Sequence, residues 1–231
     1  MRLPFGVERL WHWRVSNTTA LLRRLSRQFV DVDEKEVELE LEEQKIRHRP
    51  DSIDELVKTT KFNKRELQLL YRGFKENCPN GIVSAEKFQE IFALFFYYGD
   101  SRIYSQLVFN TFDEDGNGKI SFEEFVQALS ILLRGTNEQK LEWVFDLYDM
   151  HNRGFITQQD IQSVTKGIYD MMGTNVEPPI CMTDINDHVN YTFSKLDRDT
   201  DGKITLQEFL AGCRDDPAVI QSLDLFKTVW R

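Results

Sequence analysis

Twelve residues, Asp113 to Glu124 (DEDGNGKISFEE), restrict what this chain can fold into more than any other stretch. Asp113, Asp115 and Asn117 place side-chain oxygens at positions one, three and five. Gly118 stands at six, where a sharp turn needs a residue without Cβ. Lys119 at seven offers its backbone carbonyl, so its ammonium can point away. Ser121 at nine reaches an ion directly or through water, and Glu124 at twelve closes the ring with two oxygens. Three carboxylates with several neutral oxygens suit a hard divalent cation of calcium size. With apolar Ile120 at eight and helical spacing on both flanks, the stretch fits an EF-hand loop better than an acidic surface turn.

The outline recurs three times, with unequal ligands. DRDTDGKITLQE (197–208) repeats it in full: Asp197, Asp199, Asp201, Thr205 and Glu208 supply side chains, Lys203 its carbonyl, and Gly202 the turn. ENCPNGIVSAEK (76–87) keeps Gly81 and Val83 but has Cys78 at three, Pro79 beside it and Lys87 at twelve, so it is expected to bind no metal. DMHNRGFITQQD (149–160) keeps Gly154 and Ile156 but has His151 at three, Arg153 at five and Asp160 at twelve. An aspartate is one methylene too short to close the ring with two oxygens. A guanidinium near a divalent ion is repelled unless it swings outward. No physiological calcium is expected there.

Helical patterns surround the four loops. Ser52 with Glu55, Asn63 with Glu66, Ser121 with Glu124, Thr136 with Gln139, and Thr205 with Glu208 read as capping-box helix starts. Two of these glutamates, Glu124 and Glu208, are also the closing ligands, so filling a loop acts directly on its exit helix. Repeats spaced by roughly 35–50 residues pair one with two and three with four. A neighbour is needed because an exposed loop strand must pair with something. The expectation is an all-α protein of two paired-EF-hand lobes: an N-terminal extension over 1–44, one lobe over 45–134, and a second over 135–231 ending in a helix from Asp216 to Trp230.

Composition narrows the function classes. A net charge of −9 fits calcium ligands and argues against nonspecific nucleic-acid binding. Cys78, Cys181 and Cys213 are odd in number and lack C-x-x-C spacing, which points to a reducing, cytoplasmic setting. His12, His48, His151 and His188 have no matched nucleophile or ligand spacing, so no catalysis is expected. Residues 1–29 are arginine-rich with apolar residues at helical spacing, and residues 31–43 are acidic. Such a segment suits contact with an anionic membrane or a partner, a tail that orders only on contact, or a transit peptide. Arg2 after Met1 argues against myristoylation on this start.

From about Lys45 onward the chain resembles the neuronal calcium sensor proteins, and within them the voltage-gated potassium channel-interacting branch. The segments that carry the likeness are RHRP (47–50), KFNKRELQLLYRGFKENCPNG (61–81), LSILLRGT (129–136) and IYDMMG (168–173). The resemblance implies a recoverin-like fold. It also implies a cytoplasmic subunit held at the plasma membrane periphery by an A-type channel α subunit, whose N-terminal helix lies in an apolar groove. Relatives generally bind calcium at loops three and four; here the third is damaged and the second well formed.

Together these readings predict two calcium ions, at loops two and four, with magnesium as a resting-state substitute. The groove is expected among Phe74, Phe88, Ile91, Phe92, Phe95, Phe96, Tyr104, Phe125 and Leu129, because Phe95 to Tyr98 cannot all face one side. A regulator of a kinase or phosphatase, and a passive buffer, are the competing readings.

Overall fold

The structure, a computed structural model, describes residues 50–96, 99–173 and 182–214, with 216 and 219; the side chains of residues 50–52 and 95 are outside that description. The extension over 1–44 and nearly all of the 216–230 segment therefore lie outside the described residues. What is described is mostly helical. In order come α1 (Pro50–Thr59), α2 (Lys64–Asn77), β1 (Ile82–Ser84), α3 (Ala85–Phe95), α4 (Arg102–Phe112), β2 (Lys119–Ser121) and α5 (Phe122–Arg134). Then follow α6 (Asn137–Tyr148), β3 (Phe155–Ile156), α7 (Gln158–Met172), α8 (Met182–Leu196), β4 (Ile204–Thr205) and α9 (Leu206–Arg214). No described helix is long and apolar enough to cross a membrane.

Helix starts follow the side chains that can satisfy free amides. Asn63, Ser121 and Thr136 cap α2, α5 and α6, each answered by the residue three places on. Ser52 is a different case. It falls inside α1, which opens at Pro50, a residue whose missing N–H is no loss at a helix start. Thr157 with Asp160 makes a further capping box at α7, one absent from the sequence reading because aspartate replaces the usual glutamate.

Short antiparallel strands join the loops in pairs. Val83 faces Ile120 between β1 and β2, and Ile156 faces Ile204 between β3 and β4. All four are eighth-position residues and all four are buried, so each pairing seals one end of a core. Burial of each is worth about 1.5–3 kcal/mol.

The two halves are interlocked. Phe112, at the end of α4, meets Trp143 of α6 edge to face at 6.5 Å between centroids. Arg134 at the end of α5 pairs with Glu66 of α2 at 2.5 Å, donates to the Lys61 carbonyl at 2.6 Å and lies 4.6 Å above the Phe62 ring. Lys61 answers by donating to the Arg134 carbonyl and to Gln139 of α6. The Asp100 amide donates to the Asp170 carbonyl at 2.7 Å, and a Cβ on Gly99 would stand 2.3 Å from that same oxygen.

Candidate calcium sites

At loop two, α4 delivers Asp113 and α5 holds Glu124, with β2 between them. Asp113, Asp115 and Glu124 each place an oxygen within 4.8 Å of the others. Hydrogen bonds within the loop orient the carboxylates. Asp113 accepts from the amides of Asn117 (3.0 Å) and Gly118 (2.8 Å), and Asp115 from the Asn117 amide at 3.0 Å and its Nδ2 at 2.7 Å. Glu124 Oε2 accepts from the Ser121 amide and hydroxyl, both at 2.8 Å, while Oε1 accepts from the Glu114 amide at 3.0 Å. Gly118 has φ +77°, a conformation that strains any side chain. Lys119, on β2, has its side chain exposed.

Loop four is built alike between α8 and α9. Asp197, Asp199 and Glu208 bring oxygens within 4.8 Å of one another. Gly202, at φ +84°, donates to Asp197 Oδ2 at 3.1 Å. Asp201 donates its amide to Asp199 at 3.1 Å, and accepts from the Lys203 amide at 2.8 Å. Glu208 accepts from the Thr205 amide (2.9 Å) and hydroxyl (2.8 Å) and from the Arg198 amide (3.0 Å). The bond from Thr205 holds the Glu208 carboxyl below the usual glutamate range, so it stays charged.

One atom tests whether a cation fits. Asp197 is 7% exposed, and its Oδ1 is buried without a hydrogen-bond partner among the described residues. A buried carboxylate oxygen left unpaired is costly unless a cation meets it. Oxygen-only ligands in this number suit calcium, with magnesium a harder fit because it demands near-octahedral geometry. The family model of the EF-hand domain pair matches residues 138–214, and that of the EF hand domain matches residues 106–132. This is an EF-hand calcium-binding protein. Asp113, Asp115, Asn117, Lys119, Ser121 and Glu124 would hold one ion, and Asp197, Asp199, Asp201, Lys203, Thr205 and Glu208 the other.

The remaining loops depart from this arrangement in different ways. In loops two, three and four the fourth residue has positive φ: +67° at Gly116, +50° at Asn152 and +59° at Thr200. The fourth residue of loop one is Pro79, whose ring locks φ near −65°. That backbone therefore cannot follow the course of the others, a constraint beyond the missing ligands. Its end residues also turn outward: Glu76 lies 3.7 Å from Arg72, and Lys87 bonds Glu90 at 3.1 Å. In loop three, Arg153 does not swing outward. Its guanidinium folds in between the two end carboxylates, bonding Asp160 and standing 4.0 Å from Asp149.

The residues expected to form a groove are largely interior. Phe74, Phe88, Ile91, Phe92, Tyr104, Phe125 and Leu129 are buried, and Phe96 is half-buried against Phe92. Phe74 packs on Phe122 and Phe125, and Phe88 on Phe92, Phe109 and Phe112. Spacing explains it: Phe88, Ile91 and Phe92 share one face of α3. The side chain of Phe95, with residues 97 and 98, lies outside the described residues. Cys78 and Cys213 are buried free thiols; burial raises both, Cys213 to about 12, which keeps them unreactive.

Proposed function

We propose that the chain is a calcium sensor acting as a regulatory subunit of A-type voltage-gated potassium channels, binding the channel's N-terminal helix and altering gating and surface delivery. The observation that carries the sensor part is the double duty of Glu124 and Glu208. Each orients its carboxylate toward an ion site while accepting the amide of the residue that caps the next helix. An arriving cation competes for those oxygens and so acts on α5 and α9 directly. Repositioning of helices to expose apolar surface is how such sensors recruit partner helices.

Support for the channel as partner is the likeness of residues 61–81 and 129–136 to the channel-interacting branch. The aromatic core around Phe88, Phe92, Phe125 and Leu129 supplies the surface, provided α3 and α5 part to admit the helix. A cytoplasmic location at the membrane periphery follows from that partner, with the basic segment over 1–29 as a second contact.

The test is capture of the full chain on an immobilised channel N-terminal peptide, in calcium and in chelator. Calcium-strengthened capture is expected, together with two ions per chain by titration calorimetry in the range of about 10⁻⁷ to 10⁻⁵ M. Retention of a kinase or phosphatase from membranes, with no channel subunit, would reject the channel reading. Apolar dye binding indifferent to calcium would make the chain a buffer.

A further inference from the structure

The third loop is arranged like loops two and four although its ligands are wrong. Asp149 accepts from the amides of Arg153 (3.0 Å) and Gly154 (2.6 Å), as Asp113 accepts from Asn117 and Gly118 in loop two. Asp160 accepts from the Thr157 amide (2.7 Å) and hydroxyl (2.6 Å), as Glu124 and Glu208 accept from Ser121 and Thr205. Both carboxylates are deeply buried, with side chains 5% and 4% exposed. Two such charges facing one another in a poorly solvated loop need a positive charge between them. Arg153 provides it: Nη2 donates to Asp160 and Nε lies 4.0 Å from Asp149 Oδ1. A guanidinium is planar, always charged and shaped for carboxylates, so it can span the two ends where an ammonium would reach only one.

We propose that Arg153 is a tethered cation that takes the place of the ion in loop three and positions loop four for calcium. The route to loop four is short. The Phe155 ring has the Arg153 guanidinium 5.0 Å from its centroid and Lys203 Nζ 4.7 Å from it. Lys203 is the residue whose carbonyl is the seventh-position ligand of loop four. Phe155 also pairs with Thr205, the ninth-position residue. Loop four therefore lies against a partner already in its closed form at every calcium level, and its calcium curve has no partner within the pair to cooperate with. This inference rests on loop four being a calcium site, and the experiment separates the two claims.

The probe is calcium alone, added to the full chain from chelator, with the amide resonances of Gly154 and Gly202 followed by NMR. In the natural chain Gly154 is expected at a deshielded position in chelator and to stay there, while Gly202 moves with a Hill slope near one. Arg153→Gln should displace Gly154 in chelator and weaken binding at Gly202 by about 5- to 150-fold, the usual range of coupling between sites. Arg153→Lys should recover part of that loss, which a purely steric role would not predict. The triple variant Asp149→Asn/Arg153→Gln/Asp160→Asn leaves no buried charge in the loop and should fold while showing the same weakening. Gly154 mobile in chelator, or an unchanged affinity at Gly202 in the triple variant, would overturn the proposal. Glu208→Gln silences loop four; Gly154 holding its position there reports on the clamp even if calcium fails to bind.

Discussion

Loops one and three both lack the ligands of an ion site, yet they lack them in opposite ways. Loop one is turned outward: Pro79 fixes its backbone, Lys75 bonds the Pro79 carbonyl at 2.5 Å, and both end residues engage helix neighbours. Loop three is closed inward around Arg153. Each nevertheless supplies a strand to the loop beside it, through Val83–Ile120 or Ile156–Ile204. The difference teaches that a loop can lose its ion and remain either a bare prop or a permanently closed one. Loop two would then answer calcium beside an open neighbour, and loop four beside a closed neighbour.

The strand pairing is where the largest effects are expected. Ile120→Ala or Ile204→Ala should each cost about 2–5 kcal/mol of stability, measured by urea unfolding, since both side chains are fully buried. Equal losses would mean the two props serve packing alike; a smaller loss at Ile204 would mean the clamped loop three holds its half together without the pairing.

Removing a closing carboxylate comes next. Glu124→Gln and Glu208→Gln should each weaken calcium binding on the order of 100-fold at their own loop, because ligand charge count sets affinity. Calorimetry should then count one ion per chain in place of two.

Repair of the two failed loops sharpens the contrast further. Arg153→Asp should let loop three take a divalent ion, more weakly than loops two and four because Asp160 closes with one oxygen, since Asn152 and Gly154 already follow the required backbone and Asp149 and Asp160 already face inward. Lys87→Glu should give loop one none, because Pro79 remains. Equilibrium dialysis that found an extra ion in the Lys87 variant would remove the backbone argument for loop one.

The smallest effect is at the junction. The Arg134 guanidinium, with the Asn63 amide, holds the Glu66 carboxyl below its ordinary 4.5 despite partial burial. A depressed folded value means the stabilisation is complete above pH 4.5 and is lost as pH falls through that lowered value. Acid unfolding should therefore be less steep in Glu66→Gln, by about 1 kcal/mol or less for a pair that water still reaches.

Much of this was legible in the residues alone. Ligand spacing in loops two and four, glycine at six and the apolar eighth residue each have one physical use, so the loops could be read directly. Capping boxes at Asn63, Ser121 and Thr136 were legible for the same reason. Arg153 was not, because charge repulsion reads the same whether a side chain leaves a site or fills it; only the positions of Asp149 and Asp160 decide. The run from Phe95 to Tyr98 was read as surplus to the core because four successive large side chains cannot share one face. Phe88 meets Phe92, Phe109 and Phe112, and Phe96 stacks on Phe92, while Tyr97, Tyr98 and the Phe95 side chain lie outside the described residues.

The edge-to-face meeting of Phe112 and Trp143 carries one more consequence. Phe112 directly precedes the first ligand of loop two, while Trp143 belongs to α6, in the other half. Its indole Nε1 is buried with no partner among the described residues, so its emission senses small changes in nearby polarity. Of the four tryptophans, Trp11, Trp13 and Trp230 lie outside the described residues. Nature has in effect placed a lamp across the seam, and whatever happens at one end of the molecule can be watched by its light from the other.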